Sequence, residues 1–532
     1  MNKEQYEFFK NKKVLYIIPH EDDEVNMSGG MIYWLSKVGV STHIVFVTNG
    51  DYRTSAEIRI KEAYKSLHVL GVKEENVHFL GYSDQATHGT GHLYQSENWK
   101  SRNGMESSYI PNSITVQFGI KILQPQLFTK DNLIKDIIHV IDEIRPDIIF
   151  AVDFDSHADH RSVSLCFDAA VGKIIKNNVF YRPIIYKVFA YPTAYKGYKD
   201  FYGEILPDTK FNIENFNYAE CQNPYFLWDE RIKFALPLEA RTRRLSKNVK
   251  FKALSQYRSQ SIKSRADRII NGDEVAWQRR TDNLMFNAKV SVSSGNPEYL
   301  NDFLLFDCSN IMNGDSEFPK FDKGVWIPTE DDELPEITIH LPHPEIVSEL
   351  VFYQSAASEQ KVLSLTVNFD DKILNKYEYI GNRLKWSIKL SYLQKVSTIK
   401  ITICSKNGDS AGFSELELFG GRVEQKGWIL PLYEGNIIYP YTTCRNYDRQ
   451  KISAWIYDGV ETKQLSFKIL TENNQNQLLF SKIEESRQCI TTDSNKLIDR
   501  LNNTLYNKIL LKFYRCFYAL RRFYKKFITR KY

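Results

Sequence analysis

The first half of the chain alternates short apolar runs with segments of helical spacing. Strands are predicted at 13–18, 42–47, 77–80, 147–152 and 184–191, and helices at 28–38, 55–70, 132–144 and 160–175. Short continuous apolar runs are typical of strands buried on both faces of a parallel sheet. The alternation therefore predicts an α/β domain over residues 1–270, with a Rossmann-like, doubly wound, mostly parallel sheet. We expect residues 230–260, which look helical and basic, to close this domain.

Residues 82–131 interrupt this rhythm and are rich in Gly, Ser, Asn and His. A segment of this length and composition is typical of a long loop over an active site. His88 and His92 flank Gly-Thr-Gly within it, and the glycines argue against a helical metal site. The segment is predicted either as a substrate lid or as a plain loop.

The pattern changes to short alternating segments from about residue 286. These segments lie at 289–293, 336–341, 349–352, 364–369, 398–404 and 415–419, with turn residues such as Asn313-Gly314-Asp315 between them. Short strands separated by turns predict a β-sandwich over 286–421. Residues 422–490 continue as a small β-rich module.

The composition is that of a globular protein with several domains. A length of 532 residues exceeds one compact core, and 42% hydrophobic with 25% charged residues is ordinary. The seven cysteines are scattered and odd in number, which argues against a disulfide framework. The polar start has no signal-peptide pattern, and no run of about 18 apolar residues exists. We expect a cytoplasmic protein.

The positive charge is concentrated at the end of the chain. Residues 508–532 hold nine Lys/Arg and no Asp/Glu, so subtracting nine from the net charge of +5 leaves −4 elsewhere. The body therefore gives no case for specific nucleic-acid binding. Apolar residues recur at three- and four-residue spacing in 495–532, which predicts a basic amphipathic helix. Such a helix favours an anionic membrane surface, here at the inner face, with a partner protein or nucleic acid as the alternative.

The first predicted strand runs directly into Pro19-His20-Glu21-Asp22-Asp23-Glu24. An imidazole and two adjacent carboxylates at a strand end offer zinc ligands, and a catalytic zinc needs only three protein ligands plus water. Asp23 can bind the metal while Asp22 faces the metal-bound water. Taken alone, the run fits equally well with a solvated acidic turn that caps a helix.

A second polar cluster follows the strand at 147–152. The run from 153 to 161, Asp-Phe-Asp-Ser-His-Ala-Asp-His-Arg, places two histidines and an acid at the start of a helix. Parallel strands bring such ends together, so His160 becomes a third metal ligand and His157 lies near the substrate carbonyl. Asp159 can hold an imidazole through its second nitrogen. The two clusters together predict a site for zinc or another divalent metal.

These two motifs resemble those of the LmbE/PIG-L family of zinc-dependent N-deacetylases. Further agreement comes from Thr48-Asn49-Gly50, Arg59-x-x-Glu62-Ala63, Leu70-Gly71, Gly81-Tyr82-Ser83-Asp84, Lys252-Ala253-Leu254, Tyr257 and Ser259-Gln260. The resemblance covers about residues 10–265. Glu21 departs from it, because the family usually has Pro at that spacer position.

The resemblance implies roles for seven residues. The implied metal ligands are His20, Asp23 and His160. Asp22 is implied as general base, and His157 as the group that stabilises the oxyanion or protonates the leaving amine. Asp159, which the residue pattern places against an imidazole, is predicted as a third catalytic residue. Arg59 and Asp84 become candidates for substrate contact. The implied reaction is hydrolysis of the N-acetyl group of a GlcNAc-type sugar. A binding scaffold with an inactive hydrolase domain, or another metal hydrolase on the same fold, remains the alternative.

Residues 286–421 resemble a discoidin-like (F5/8 type C) module. The resemblance rests on Asn313-Gly314-Asp315, Trp326, the strand 336–341 and the ending Gly412–Gly420. It implies glycan binding, and a purely structural or oligomerising module is the alternative.

Overall fold

A computed structural model describes most of the first 420 residues of this protein. The described residues are 3–84, 93–120, 124–191, 206, 208–209, 221–260, 269, 271–309, 311, 320–370, 373–420, 453–457 and 462–466. Met1–Leu430 forms one compact unit and Pro431–Tyr532 a second. In the second unit, β14 (Ser453–Tyr457) pairs antiparallel with β15 (Thr462–Ser466). The helix predicted at 495–532 and the histidines His88 and His92 lie outside the described residues.

The α/β part of the first unit contains fifteen of the described elements. They are α1 (Lys3–Phe9), β1 (Lys13–Ile18), α2 (Asp23–Lys37), β2 (Ser41–Thr48), α3 (Ala56–Leu70), β3 (Val77–Tyr82), α4 (Asn112–Phe118), α5 (Lys130–Ile144), β4 (Ile148–Val152), α6 (Ala158–Asn177), β5 (Ile184–Val188), β6 (Ile232–Ala235), α7 (Leu238–Arg241), α8 (Val249–Leu254) and β7 (Asp273–Arg279). No helix in the described part of the chain is long and apolar enough to cross a bilayer.

The described strands of this part form one sheet in the order β3-β2-β1-β4-β5-β7-β6. β1 to β5 pair in parallel, whereas β7 runs antiparallel to both β5 and β6. β1 and β4 are almost wholly buried, as expected for strands covered by helices on both faces. The predicted Rossmann-like, mostly parallel α/β fold is confirmed.

The helices begin and end where local chemistry favours it. Thr129 caps α5 by accepting a hydrogen bond from the backbone of Asn132, and α3 ends at Gly71 in the left-handed conformation. α2 begins at Asp23, five residues before the predicted start, with a kink at Ser28. The predicted start coincides with this kink, and the two acids of the first turn, Asp23 and Glu24, favour the additional turn electrostatically.

Two sequence predictions for other segments were wrong in part. Residues 230–260 are not a continuous helix, because Ile232–Ala235 is the edge strand β6 and only short helices follow. The basic character of this segment carries no information about its pairing with β7. The inserted segment 82–131 is not all loop, because it contains the helix α4 and the first residues of α5.

Residues 286–420 form an antiparallel β domain. Its strands are β8 (Lys289–Val292), β9 (Glu336–Gln354), β10 (Val362–Phe369), β11 (Ile373–Glu378), β12 (Lys385–Lys406) and β13 (Phe413–Phe419). They pair in the order β11-β10-β12-β9-β13, with β8 also on β9. The predicted strands 336–341 and 349–352 are one strand in the structure. β9 pairs with β12 on both sides of the two prolines between them, and the register of that pairing shifts around the prolines. A bulge tolerates proline where a regular ladder does not.

The two parts of the first unit share a hydrophobic core. Phe154 packs against Phe306 and Phe321 at ring-centroid distances of 4.9 and 5.9 Å. The hydroxyl of Tyr225 donates to the carbonyl of Gln354 at 2.8 Å, across the same boundary. The β domain therefore packs directly against the segment that follows β4.

Candidate functional site

The site lies where the strand order of the parallel sheet reverses. β1 and β4 are neighbours, with Ile17 opposite Ala151, and β2 and β3 lie on the far side of β1. The loops after β1 and β4 therefore leave the sheet side by side, at the position where ligands bind in open α/β sheets. β2 and β3 bring residues 49–51 and 83–84 to the same edge.

Three side chains from the two loops meet at one point. Asp23 Oδ2 lies 3.1 Å from His20 Nδ1 and 3.1 Å from His160 Nε2, and the two nitrogens are 3.2 Å apart. Ligands held about 2.0–2.2 Å from a tetrahedral zinc lie roughly 3.3–3.5 Å from one another. Two imidazole nitrogens and a carboxylate oxygen at this spacing therefore fit a divalent metal. All three side chains are buried.

Potential ligand atoms also converge around this triad in two overlapping groups. One consists of His20, His157 and His160, and the other of His20, Asp84, His157 and Asp159, each within 4.8 Å. The geometry leaves several donors close to one metal position.

The outer nitrogen of His160 is held by a residue that the sequence analysis missed. Asp155 Oδ2 lies 2.8 Å from His160 Nδ1, and the side chain of Asp155 is fully buried. Burial lowers the pKa of His160, but the charges of Asp155 and Asp23 outweigh it and raise that pKa to about 9. Asp155 belongs to the run 153–161 that the sequence analysis singled out, but the sequence did not show that its carboxylate faces His160. The contact fixes the ring with Nε2 directed at Asp23 and His20.

His20 has two carboxylates at its second nitrogen. Its Nε2 lies 3.1 Å from Asp159 Oδ2 and 3.4 Å from Asp84 Oδ1. Burial lowers the pKa of His20, but Asp84, Asp159 and Asp23 outweigh it and raise that pKa well above its usual value. Burial also raises the pKa of Asp159 to about 6. The structure thus places Asp159 against an imidazole.

His157 lies against both other histidines. Its ring centroid is 4.7 Å from those of His20 and His160. Its Nδ1 accepts a hydrogen bond from the backbone N–H of Asp159 at 3.2 Å, which caps α6. Burial and the two neighbouring histidines hold the pKa of His157 well below its usual value. An accepting Nδ1 places the proton of a neutral ring on Nε2.

Asp22, the neighbour of Asp23 in the chain, has an unusual backbone conformation. Its φ is 106° and its ψ is −21°, a left-handed conformation that few non-glycine residues adopt. Its N–H donates to Glu24 Oε2 at 2.9 Å, and Glu24 Oε1 accepts from Ser66 and Tyr257 at 2.7 and 2.6 Å. Glu24, fully buried, therefore holds this turn through groups from α3 and the segment after α8.

Arg59 lies beneath the same turn. Its Nη2 donates to the carbonyl of Glu21 and lies 3.9 Å from Asp22 Oδ1, and its Nε lies 3.6 Å from Glu21 Oε2. Burial raises the pKa of Glu21 to about 8, against the opposing charge of Arg59. Gly50 is required here, because a Cβ at that position would lie 2.3 Å from Glu21 Oε2 and 2.5 Å from Arg59 Nε.

A cavity of about 760 Å³ opens beside this cluster. It is lined by the loop between β2 and α3 and by part of the inserted segment. The side chains that line it are Asp51, Tyr52, Arg53, Thr54, Ser55, Ala56, Glu57, Arg102, Asn103, Met105, Tyr109 and Pro111. A space of this volume is typical of small-molecule sites.

The structure brings six of the eight predicted site residues to one cluster. They are His20, Asp23, Asp84, His157, Asp159 and His160. Asp22 adjoins Asp23 in the chain, and its Oδ1 lies 3.9 Å from Arg59 Nη2. Arg59, predicted as a substrate contact, is only 4% exposed and contacts Glu21 and Asp22. Glu24 and Asp155 are the functional neighbours that the pattern did not single out.

Comparison with known families gives a match for part of the chain. Residues 15–171 match the family described as PIG-L, GlcNAc-PI de-N-acetylase. This segment contains most of β1, the whole of β2, β3 and β4, and every residue of the cluster described above. Residues 15–171 therefore resemble a PIG-L (LmbE-like) deacetylase domain. No curated protein matches the chain.

Several solved structures are similar to parts of the chain. An N,N'-diacetylchitobiose deacetylase from Pyrococcus horikoshii is 24% identical over 35% of this chain and 62% of its own, with a TM-score of 0.23. A deacetylase of the teicoplanin biosynthetic pathway is 16% identical over 51% of this chain and 99% of its own, with a TM-score of 0.30. A family 32 carbohydrate-binding module from Clostridium perfringens NanJ, in complex with galactose, is 14% identical over 25% of this chain and 95% of its own, with a TM-score of 0.19. The chain therefore spans under two thirds of the Pyrococcus protein.

Proposed function

We propose that this protein is a zinc-dependent hydrolase that removes the N-acetyl group from a GlcNAc-type sugar in a glycoconjugate or glycan precursor. The observation that carries the proposal is the triad of His20, Asp23 and His160, whose ligand atoms lie 3.1–3.2 Å apart within a segment that matches a deacetylase family. The mixed nitrogen and oxygen donor set favours zinc over the oxygen-binding cations.

His20, Asp23 and His160 would hold the metal. When bound, such a metal lowers the pKa of a water molecule toward about 7 and polarises the amide carbonyl. Asp155 orients His160, and Asp159 orients His20, because each accepts from the ring nitrogen that faces away from the triad. The chain thus supplies both the donors and the carboxylates that fix their rings.

Asp22 is the proposed general base. Its carboxylate has a different partner from that of Asp23, because Oδ1 of Asp22 approaches Arg59 whereas Oδ2 of Asp23 faces His20 and His160. Arg59, 3.9 Å from Asp22 Oδ1, stabilises the ionised carboxylate that accepts a proton from the attacking water. Glu24 holds the turn through its contact with the N–H of Asp22. General acid–base assistance is typically worth about 10²–10⁴-fold in rate.

His157 is the proposed group that faces the substrate carbonyl. Its Nδ1 accepts from the backbone of Asp159, so a neutral ring presents Nε2–H as a hydrogen-bond donor. A donor at this position stabilises the negative charge that develops on the carbonyl oxygen and can pass its proton to the leaving amine. Asp84, near His20 at the same edge, is the proposed contact for a sugar hydroxyl.

The appended segments suit a substrate that is part of a larger molecule. We propose that the β domain binds a glycan, which is supported by its likeness to discoidin-like modules and by similarity to carbohydrate-binding modules. For the basic segment 495–532 we propose contact with an anionic membrane surface at the cytoplasmic face, which rests on the sequence pattern alone.

The proposed function is tested by acetate release from a panel of GlcNAc conjugates. We expect release with the zinc-loaded full chain, loss of release after chelation, and a large loss in Asp22→Asn that leaves zinc content unchanged. Asp142→Asn, an exposed carboxylate on α5 paired with Arg145, is the matched control. If the zinc-loaded protein released no acetate from any conjugate, or if Asp22→Asn matched the parent chain, the deacetylase proposal would be wrong.

A further inference from the structure

The β domain contacts the loop 153–157, which precedes α6 at the proposed metal site. Arg161, in the first turn of α6, is 2% exposed and lies at the centre of this contact. Its guanidinium donates to the carbonyl of Asp155 at 2.8 Å and to the carbonyl of Ile311 at 3.1 Å. It also donates to Gln222 Oε1 at 2.6 Å. One buried side chain therefore joins the site loop, the segment before β6 and the β domain.

Aromatic packing surrounds the same junction. Phe154 of the loop packs against the rings of Phe306 and Phe321 in the β domain. The guanidinium carbon of Arg161 lies 5.5 Å from the centre of the Phe154 ring. The carbonyl of Phe154 accepts from the backbone N–H of Gln222 at 3.0 Å. Hydrogen bonds in such a buried environment are stronger than those exposed to water, so they restrain the loop firmly.

Asp155 connects this junction to the proposed metal site. Its carbonyl accepts from Arg161, and its carboxylate Oδ2 lies 2.8 Å from His160 Nδ1. The opposite nitrogen of that ring, Nε2, lies 3.1 Å from Asp23 Oδ2. Asp155 Oδ1 also accepts from the N–H of His157 at 2.9 Å. The β domain is thus linked to a proposed metal ligand through two residues, Arg161 and Asp155.

A second buried arginine, Arg279 of β7, crosses the same boundary at another place. It is 3% exposed and donates to the carbonyl of Phe303 at 3.1 Å, with its guanidinium carbon 4.2 Å from the centre of that ring. Its terminal nitrogens lie 3.6 Å from Glu417 Oε1 and 4.0 Å from Asp168 Oδ2. These partners lie in the β domain and on α6, outside the loop 153–157. Arg279 therefore resembles Arg161 in burial and in donor chemistry, but its contacts lead elsewhere.

We propose that the β domain fixes the geometry of the metal site, with Arg161 as the positioning residue between them. The inference rests on the proposed zinc-dependent function and deepens it, because it gives the appended domain a part in metal binding. The loop 153–157 belongs to neither a helix nor a strand, so its backbone depends on such contacts for its position. Functional sites require their groups to be held within about 0.5 Å, and a loosened Asp155 would leave the ring of His160 free to turn.

The first experiment compares the zinc affinity of two arginine variants of the full chain. Competition with a chromophoric chelator measures the affinity, and circular dichroism shows whether each variant is folded at the assay temperature. We expect Arg161→Met to bind zinc about tenfold or more weakly than the parent chain. Arg279→Met is the matched control, because it should lower the midpoint of urea unfolding by a similar amount and keep the zinc affinity of the parent.

The second experiment reports the geometry of the site directly. Cobalt(II) can replace zinc in sites with nitrogen and oxygen ligands, and its visible absorption depends on how the ligands are arranged. We expect the spectrum of cobalt-loaded Arg161→Met to differ from that of the parent chain in wavelength and intensity. Cobalt-loaded Arg279→Met should have the spectrum of the parent, because a loss of stability alone does not change the ligand arrangement.

Gln222→Met is a milder variant for the case in which Arg161→Met does not fold. It removes one acceptor of the guanidinium and keeps the arginine, so its zinc affinity should fall about threefold or more. An unchanged zinc affinity and cobalt spectrum in Arg161→Met, or in Gln222→Met where that variant alone folds, would overturn the inference. An equal loss of affinity in Arg279→Met would also overturn it, because the effect would then be one of general stability.

Neither measurement requires turnover, which separates this inference from the proposed function. Absence of acetate release from every GlcNAc conjugate would overturn the deacetylase proposal. The zinc affinity and the cobalt spectrum of the same variants would still decide whether the β domain positions the metal ligands through Arg161.

Discussion

The carboxylate of Asp155 lies 2.8 Å from Nδ1 of His160, and the opposite nitrogen of the same ring lies 3.1 Å from Asp23 Oδ2. The imidazole is thus held between two carboxylates, one from the loop that precedes its helix α6 and one from the first residue of α2. A contact of this kind sets which nitrogen faces the metal position.

Replacing Asp155 by Asn should weaken metal binding while leaving the fold intact. The amide keeps the shape of the side chain and can still accept from the N–H of His157, but it loses the charge that faces His160. We expect the zinc affinity to fall about 10–100-fold, as for other carboxylates behind a ligating histidine. Competition with a chromophoric chelator measures it, and Asp142→Asn is the control. An unchanged affinity would show that Asp155 has no role in orienting the ring.

His157→Gln should reduce turnover without removing the metal. The ring lies beside the triad, and under the proposed function it acts on the substrate carbonyl. We expect kcat to fall about 10²–10⁴-fold, with zinc content equal to that of the parent chain. His139→Gln, at an exposed position on α5, should behave like the parent. Loss of zinc from His157→Gln would instead identify His157 as a ligand.

Arg161→Met should destabilise the protein, because this arginine joins the site loop to the appended β domain. Its guanidinium donates to the carbonyl of Asp155, to Gln222 Oε1 and to the carbonyl of Ile311. Buried hydrogen bonds from a charged donor are worth about 1.5–3 kcal/mol, and we expect a loss of that size in the free energy of unfolding. Urea denaturation measures the loss, with the exposed Arg145→Gln as control. A change below about 0.5 kcal/mol in Arg161→Met would contradict this role.

Asp302 is an acidic group at the boundary between the α/β part and the β domain. Burial raises its pKa to about 7, against a hydrogen bond from the N–H of Leu304 and the charge of Lys176. Other charged groups that influence it are Asp307, Arg279 and Glu415. The pKa of Glu415 is also raised well above its usual value by burial and by Asp302.

The raised pKa of Asp302 predicts that its ionisation destabilises the fold as pH increases. Below about pH 4 the carboxyl is protonated in both states, whereas between about pH 4 and pH 7 only the unfolded chain loses the proton. The stability that the neutral group contributes is therefore lost as the pH rises to about 7, at about 1.4 kcal/mol per pKa unit. Relative to the parent chain, the free energy of unfolding of Asp302→Asn should increase by at least about 1 kcal/mol between pH 4 and pH 7. A difference independent of pH would contradict the raised pKa.

Removal of residues 495–532 should abolish binding to anionic vesicles. These residues include the nine Lys and Arg side chains of 508–532, on a segment with an apolar stripe. We expect the full chain to float with vesicles that contain phosphatidylserine at low ionic strength, and to bind less as salt screens the attraction. Vesicles of phosphatidylcholine alone are the control. Equal flotation of the full and shortened chains would show that the tail is not the membrane contact.

The residue pattern alone was sufficient to predict the parallel sheet. The apolar runs now seen as β1, β2 and β4 had to be buried on both faces, and their spacing left room for a helix between each pair. The same logic placed His20, Asp23 and His160 at one edge of the sheet, because the carboxyl ends of adjacent parallel strands meet there. The resemblance to a family added the roles and the sugar, which spacing by itself does not contain.

Other features depend on contacts between residues far apart in the chain, which no local pattern encodes. The long β9 was predicted as two strands, because only its partner β12 shows that the register continues past a bulge. In the sequence, Asp155 and Glu24 are indistinguishable from other acidic residues of a polar turn. Only the structure shows that Asp155 faces His160 and that Glu24 accepts a hydrogen bond from the N–H of Asp22. The cavity between Arg53 and Arg102 joins segments about fifty residues apart. The sequence by itself therefore determined the sheet and the edge where the site lies. Continuous apolar runs indicate burial on both faces, and the alternation of strands with helices indicates parallel strands. Tertiary structure decided which carboxylate faces which histidine, because that depends on side-chain packing across the fold.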